Sequence, residues 1–336
     1  MSDVRRKMQV GMWGGFAALA LLAACEDVVP VEPVLTPQAR PEASIEPSPP
    51  PPAAPTAQAT SERSAALRQY LRQVQSSQLT SGLLRKDGGG PDTPFTAEML
   101  ARNFEQIVFF NEYATSTVAP GQAGALRRWK EPVRIGVEFG PSVPPSQRAR
   151  DRADVSKYAA RLARLTGHPI SDAGTPNFMV FFVSEDDRVD TLNQRAPRLP
   201  GVTQANLTAV RDLPNDAYCA VAAYATGADR STYTAAVAVI RAENPDLLRL
   251  SCIHEELAQA FGLANDSPAA RPSIFNDDDE FALLTNHDEA LLGILYDSRL
   301  QPGQSLIDAR ATVLDLARER VDEANVVASA THTWAQ

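Results

Sequence analysis

The sequence contains few of the residues and motifs that identify common enzyme classes. Among its 336 residues are three cysteines and four histidines. It contains no glycine-rich phosphate loop and no Gly-x-Ser-x-Gly elbow, so neither a phosphate-binding loop nor a serine hydrolase site is predicted. Basic residues are fewer than acidic ones, 32 against 41, and the net charge of -9 argues against non-specific nucleic-acid binding. Hydrophobic residues make up 44% of the chain, which is enough for a folded core.

The amino-terminal segment has the organisation of an export signal. Three basic residues at 5–7 precede an apolar run at 8–24, which is shorter than the roughly 20 residues of a membrane-spanning helix. The run is followed by Cys25, and Leu-Ala-Ala-Cys at 22–25 resembles the lipobox of bacterial lipoproteins, in which the cysteine is lipidated and becomes the new amino terminus. We therefore predict a lipoprotein signal peptide at 1–24 and lipidation of Cys25. An ordinary signal peptide followed by an unmodified cysteine is the alternative.

Lipidation would anchor the protein to the lipid bilayer through acyl chains, on the periplasmic side of the bacterial cell envelope. Glu26 stands where an aspartate commonly signals retention in the inner membrane, so the outer membrane is favoured. Residues 25–60 include 10 of the 26 prolines, a composition that favours extended chain without a core. We predict a disordered tether, which at ~3.1 Å per residue reaches up to ~100 Å. An unstructured tail without a spacer role is the alternative.

Hydrophobic periodicity in the rest of the chain predicts an α+β fold of one domain at 61–325. Helical spacing predicts helices over 61–84, from Thr96, around 155–165, over 246–261 and after 303. Alternating or continuous apolar runs predict strands at 133–139, 178–183, 219–225 and 235–240. The last residues, 326–336, are expected to form a frayed tail.

Two cysteines remain after the lipidated one is set aside. The compartment implied by the signal is oxidising, and one pair allows only one connectivity. We therefore predict a disulfide between Cys219 and Cys252, with two buried free cysteines as the alternative. A disulfide would leave neither residue available as a cysteine nucleophile.

The predicted helix at 246–261 carries residues that suggest a metallopeptidase motif. Zinc peptidases place two histidines four residues apart on one helical face, with a glutamate beside the first as general base. His254-Glu255 matches the beginning of such a motif, but the position four residues later is Ala258, which has no ligating atom. In that register no zinc site is predicted, and His254 is interpreted as a structural histidine.

A shift of one residue gives a closer match. Residues 255–266 resemble the metzincin-type motif His-Glu-x-x-His-x-x-Gly-Leu-x-His-Asp, and they keep Glu256, Gly262-Leu263 and Asp266 in place. The three ligand positions of that motif are occupied by Glu255, Gln259 and Asn265. Downstream, Ser-Ile-Phe at 273–275 is similar to the turn beneath such sites, with Phe275 in the methionine position. The resemblance implies a zincin-like domain, with a mixed sheet of about four to five strands, flanking helices, and an active-site-type helix followed by a Met-turn-like loop.

The same segment resembles a family of uncharacterised bacterial envelope proteins, domain of unknown function 2927. The resembling residues include His254-Glu255-Glu256, Gln259, Gly262-Leu263, Asn265-Asp266 and the 273–276 segment. The resemblance covers roughly 90–320 and implies no established activity. The sequence-derived site therefore comprises His254, Glu255, Glu256, Gln259, Gly262, Asn265, Asp266 and Phe275.

The replaced ligands determine the chemistry that we expect. Zinc sites use imidazole, thiolate and carboxylate, whereas one carboxylate and two amides suit a hard cation such as calcium better, and only loosely. Without a metal that lowers the pKa of a bound water, Glu256 has no strong nucleophile to generate. We therefore predict no cofactor and a degenerate, non-catalytic site whose polar residues pair with one another or bind a ligand. The expected role is binding an envelope protein or a cell-wall partner, and the alternative is a peptide- or cell-wall-directed hydrolase that uses Glu256.

Overall fold

The computed structural model describes residues 60–110, 123–226, 228–276 and 278–333, with side chains up to 322. The predicted signal peptide, Cys25 and almost all of the predicted tether lie outside the described residues. The helices are α1 Glu62–Thr80, α2 Ala97–Phe109, α3 Pro145–Thr166, α4 Arg188–Arg195, α5 Thr208–Arg211, α6 Asp246–Ala260, α7 Asn286–Leu295 and α8 Leu306–Thr333. The strands are β1 Arg128–Trp129, β2 Val133–Phe139, β3 Ile170–Ser171, β4 Phe178–Val183, β5 Cys219–Tyr224, β6 Thr232–Tyr233 and β7 Ala235–Arg241.

Five strands form the main sheet, in the order β3-β2-β4-β7-β5. Four of them are parallel, and β5 runs antiparallel to β7 at one edge. A separate parallel pair joins β1 and β6. All seven residues of β7 are buried, as expected for an interior strand that is covered on both faces. The α+β class and the mixed sheet of about four to five strands are thus confirmed.

Each face of the sheet is covered by a hydrophobic core. One core joins the sheet to α2, α3, α6, α7 and α8, and includes the alternate β4 residues Phe178, Val180 and Phe182. The other core lies under α4 and α5 and includes Phe181 and Val183. Because successive residues of a strand point to opposite faces, the continuous apolar run of β4 supplies both cores.

Several boundaries differ from the sequence-based expectations. Helix α1 ends at Thr80, where we expected 84. Pro245, which has no capping side chain, occupies the N-cap of α6, and Asp246 is the first helical residue. Helix α8 extends to Thr333, through most of the range expected to be a frayed tail. The short elements α4, α5, β1, β3 and β6 were not predicted, because two to eight residues carry too little hydrophobic periodicity. No helix of the described segments is long and apolar enough to cross a membrane.

Candidate functional site

Helix α6 carries the acidic residues of the predicted site and ends at a sharp turn. Gly262 has φ +119°, and a Cβ at this position would lie 2.6 Å from the carbonyl oxygen of Arg127. Only glycine fits this turn, because both the backbone conformation and the close approach exclude a side chain. The turn is held by Trp129 Nε1, which donates to the Ala260 oxygen at 2.9 Å, and by the Tyr296 hydroxyl, which donates to the Phe261 oxygen at 3.0 Å.

A cleft of about 300 Å³ separates α6 from the edge strand β5. The helix contributes Glu255, Glu256 and Gln259, and the segment after Gly262 contributes Asp266. The wall opposite the helix is formed by residues 219–223 of β5 with Ala209 and Tyr233, and Arg127, which lies next to Gly262, also lines the cleft. Three carboxylates and one guanidinium give the lining a negative formal charge, and the β5 residues at 220–223 carry only the small side chains of alanine and valine.

The disulfide between Cys219 and Cys252 joins the two walls of the cleft. It connects the first residue of β5 to α6, with a Cα–Cα distance of 5.9 Å. The predicted pairing is therefore confirmed. Cys252 lies three residues before Glu255, about one helical turn, so the bridge fixes the strand beside the acidic side chains.

The outer edge of β5 is not paired with another described strand. At the start of the strand, the Arg241 amide donates to the Tyr218 oxygen, so residue 218 directs its hydrogen-bonding groups toward β7. Because these directions alternate along an antiparallel strand, Cys219, Val221 and Ala223 direct theirs away from β7. The same three side chains contact the core on the α6 side of the sheet. An extended chain at this edge would therefore lie along the cleft.

His254 lies on another face of α6 and does not line the cleft. Its Nδ1 accepts a hydrogen bond from the Leu284 amide at 3.0 Å, and its ring stacks on Tyr158 with a centroid distance of 4.0 Å. Burial, with smaller contributions from Arg161 and Lys157, lowers its pKa to about 3. The neutral imidazole is thus an acceptor that links α6 to the segment before α7.

Asn265, the third predicted ligand position, is directed to backbone rather than to the cleft. Its Nδ2 donates to the carbonyl oxygens of Gln106, at 3.1 Å, and Asp266, at 2.8 Å. The next residue, Asp266, lines the cleft instead. The expected set of one acid and two amides is therefore corrected, since the cleft collects three acids and the single amide of Gln259.

Phe275 lies in a buried turn next to α7 and does not reach the cleft. Its amide donates to Ser273 Oγ at 3.0 Å, and that hydroxyl donates to Asp288 Oδ1 at 2.5 Å. The buried Asp288 also accepts from the amides of Ile274 and Thr285. The predicted turn at 273–275 is therefore anchored to the first turn of α7 by a carboxylate.

The donor set does not fit a zinc ion. The ligating atoms of Cys219, Glu255 and Glu256 lie within 4.8 Å of one another, but the Cys219 sulfur belongs to a disulfide and is not a thiolate. No histidine is among the described residues that line the cleft. Of these three groups only the two carboxylates can act as ligands, fewer than the three or four protein ligands of a zinc site, and carboxylate oxygens suit a hard cation better.

Sequence patterns do not identify the β5 wall of the cleft or Arg127 as parts of the site. Neither carries a motif, because Ala220, Ala222 and Ala223 are chemically inert and Arg127 precedes a two-residue strand. The predicted disulfide nevertheless contains enough information to locate the β5 wall from the sequence. The predicted disulfide places residue 219 beside residue 252, and the residues after 219 are therefore expected near Glu255 and Glu256.

Comparison with known proteins identifies the family. A family model described as protein of unknown function (DUF2927) matches residues 97–315. The chain belongs to the DUF2927 family. No curated protein and no solved structure matches the chain. The DUF2927 match contains every residue that lines the cleft, and it begins at the first residue of α2, so that α1 precedes it.

Proposed function

We propose that this protein is a lipid-anchored protein of the bacterial cell envelope, whose zincin-like domain binds an extended, basic segment of a partner protein and does not hydrolyse it. The segment occupies the cleft between β5 and α6 and adds a strand to the open edge of β5. One observation carries the proposal. The edge of β5 that is not paired with another described strand has small side chains and lies beside Glu255 and Glu256 of α6.

Charge supports a basic partner. Glu255, Glu256 and Asp266 line the cleft together with Arg127, and the whole chain has a net charge of -9. A lysine- or arginine-bearing segment is favoured by such a lining, and acidic segments are disfavoured. In peptide recognition by strand addition, the backbone supplies affinity and the side-chain lining supplies specificity.

The zincin-like reading is supported by the sheet and by the position of α6. The motif resemblance implies a mixed sheet and an active-site-type helix followed by a Met-turn-like loop. In this domain the antiparallel strand β5 lies along the helix that carries Glu256, and the turn containing Phe275 follows. The residues at the ligand positions do not suit zinc, so we infer a peptidase-like domain that lacks the metal chemistry of the zinc peptidases.

The test is fluorescence polarisation with labelled ten-residue peptides of net charge +4, 0 and -4, chosen without other sequence constraint. We expect the basic peptides to bind most tightly, and Val221→Pro, which removes an outward amide of β5, to weaken binding about fivefold, the effect of one hydrogen bond. Val221→Ala keeps the amide and is the matched control. Equal binding of all three charges, or no difference between the two Val221 variants, would contradict the proposal.

Glu255→Gln combined with Glu256→Gln tests the electrostatic part. Removing both charges is expected to weaken the +4 peptide about threefold or more, with a smaller effect at high salt, because screening already reduces the attraction. Asp172→Asn combined with Asp190→Asn, on two exposed residues outside the cleft, removes the same number of charges and serves as the control for net charge.

Hydrolysis is the second candidate, and the proximity of Glu255 and Glu256 favours it, because two carboxylates can hold a hard cation. Mass spectrometry of the same peptides after incubation with calcium, magnesium or zinc distinguishes the two functions. Cleavage that is abolished by Glu256→Gln, while binding remains, would establish the hydrolase instead of the binding domain.

A further inference from the structure

The outer edge of β5, which is not paired with another described strand, separates two surfaces of the sheet. Successive side chains of a strand point to opposite faces. Three side chains of β5 contact the core on the α6 side, namely those of Cys219, Val221 and Ala223. The other three contact the core under α4 and α5, namely those of Ala220, Ala222 and Tyr224. A strand added at this edge would continue the sheet, so its side chains would alternate between the same two surfaces.

The charged residues that line the cleft in the described part of the chain lie on the α6 side. Glu255 and Glu256 belong to α6, and Asp266 follows the turn that ends the helix. Arg127, the single cation of this lining, lies next to the same turn. A carboxylate oxygen of each glutamate lies within 4.8 Å of the sulfur of Cys219, whose side chain points to this side. The acids are therefore close to the surface onto which every second residue of an added strand would project.

The surface on the α5 side of the edge is apolar. Among the described residues that line the cleft, those on this side are Ala209, an exposed residue of α5, and Ala220 and Ala222 of the strand. None of the three carries a charge or a hydrogen-bonding side chain. A charged side chain placed here would lose part of its hydration without gaining a partner, whereas a small apolar side chain would cover the alanines.

We infer that the partner segment alternates basic and small apolar residues, an inference that rests on the proposed function. Basic residues at every second position would project toward Glu255 and Glu256. The intervening residues would project toward Ala209, Ala220 and Ala222. Because the side-chain period of a strand is two, the pattern is the same whether the segment runs parallel or antiparallel to β5. Such a segment differs from one of equal charge whose basic residues are adjacent.

Fluorescence polarisation with two ten-residue peptides of identical composition tests the pattern. Both have blocked termini, a net charge of +4, and four lysines and four valines between terminal serines. One repeats Lys-Val four times, and the other repeats Lys-Lys-Val-Val twice. In any register the second peptide directs two lysines to each surface, whereas the first can direct all four toward α6. We expect the Lys-Val peptide to bind about fivefold more tightly, the effect of two further lysines beside the carboxylates.

Ala209→Glu tests the assignment of the two surfaces. This change places a carboxylate on the α5 side, so we expect the Lys-Lys-Val-Val peptide to gain affinity and the difference between the peptides to fall to about twofold. Ala149→Glu, on an exposed alanine of α3 outside the cleft, adds the same charge and is the matched control. In the control variant the fivefold difference is expected to remain.

The outcomes separate the pattern from the proposed function. Equal affinities of the two peptides, with binding still weakened by Val221→Pro, would overturn the alternation and leave strand addition in place. An unchanged difference in Ala209→Glu would overturn the assignment of the apolar residues to the α5 side. Absence of binding, or binding that Val221→Pro does not affect, would contradict the proposed function and the pattern with it.

Discussion

His254 and Asn265 show how strongly the surroundings of a residue decide its role. His254 has the sequence context of a metal ligand, yet its ring is buried between Tyr158 and the Leu284 amide. Asn265 occupies a ligand position of the motif, yet its amide binds backbone. Glu255 and Glu256 follow His254 directly in α6 and line the cleft, whereas His254 does not. The reason is that successive residues of a helix point about 100° apart.

The buried imidazole of His254 predicts a pH dependence of stability. Its folded-state pKa of about 3 lies below the ordinary value of about 6.5, so the unfolded chain binds the proton more readily. The contribution is fully present above pH 6.5 and is lost as the pH falls from there toward 3. We expect the free energy of unfolding to fall about 1.4 kcal/mol per pH unit more steeply between pH 6 and 4 than in His254→Phe.

Urea unfolding at pH 7, 6, 5 and 4 measures this difference. Phenylalanine at position 254 keeps a ring against Tyr158 and does not titrate. The substitution also removes the acceptor of the Leu284 amide, and this loss lowers stability by the same amount at every pH. Parallel pH profiles of the two proteins would show that His254 is not responsible for the acid sensitivity.

At the level of elements, the disulfide determines how β5 and α6 are held together. Among the described strands β5 pairs with β7 alone, at the edge of the sheet, and all six of its residues are half-buried. The disulfide closes a loop with a sequence separation of 33 residues. It therefore stabilises the attachment of this edge strand to α6.

Cys219→Ala/Cys252→Ala is expected to lower the free energy of unfolding by about 3–4 kcal/mol, the chain-entropy effect of a loop of this length. β5 is expected to exchange its amide hydrogens before β4 and β7 in this variant. Urea unfolding with and without reductant checks the first part, and the double variant itself is the control, because reductant cannot affect it. A wild-type protein whose stability is unchanged after both thiols have been freed would contradict the prediction.

At the level of the whole molecule, the amino-terminal sequence predicts where the domain works. A short apolar run that ends in Leu-Ala-Ala-Cys, followed by a proline-rich segment, predicts an acylated tether that leads into α1. Anchoring and binding are therefore expected to be linked in one chain.

Lipidation is tested by metabolic labelling with palmitate. We expect label in the wild-type protein and in Cys219→Ala/Cys252→Ala, and none in Cys25→Ser, because only Cys25 is preceded by the lipobox-like residues. Mass spectrometry of the amino-terminal peptide locates the acyl chains. Label that persists in Cys25→Ser would exclude the predicted anchor.

The sequence by itself determined the strands β2 and β4 and the disulfide, since long apolar patterns and a single remaining cysteine pair leave little choice. It also located α6 and its acids, because a helix of 15 residues has a clear period. The tertiary structure alone decided which acids share the cleft and that Asp266 rather than Asn265 faces it. It also decided that the side chain of Gln75, in α1, caps the first turn of α6 by accepting from the Leu248 amide. These contacts join residues that are distant in the chain. They depend on how a helix is rotated about its axis and on the backbone conformation of a turn, and no local sequence pattern specifies either.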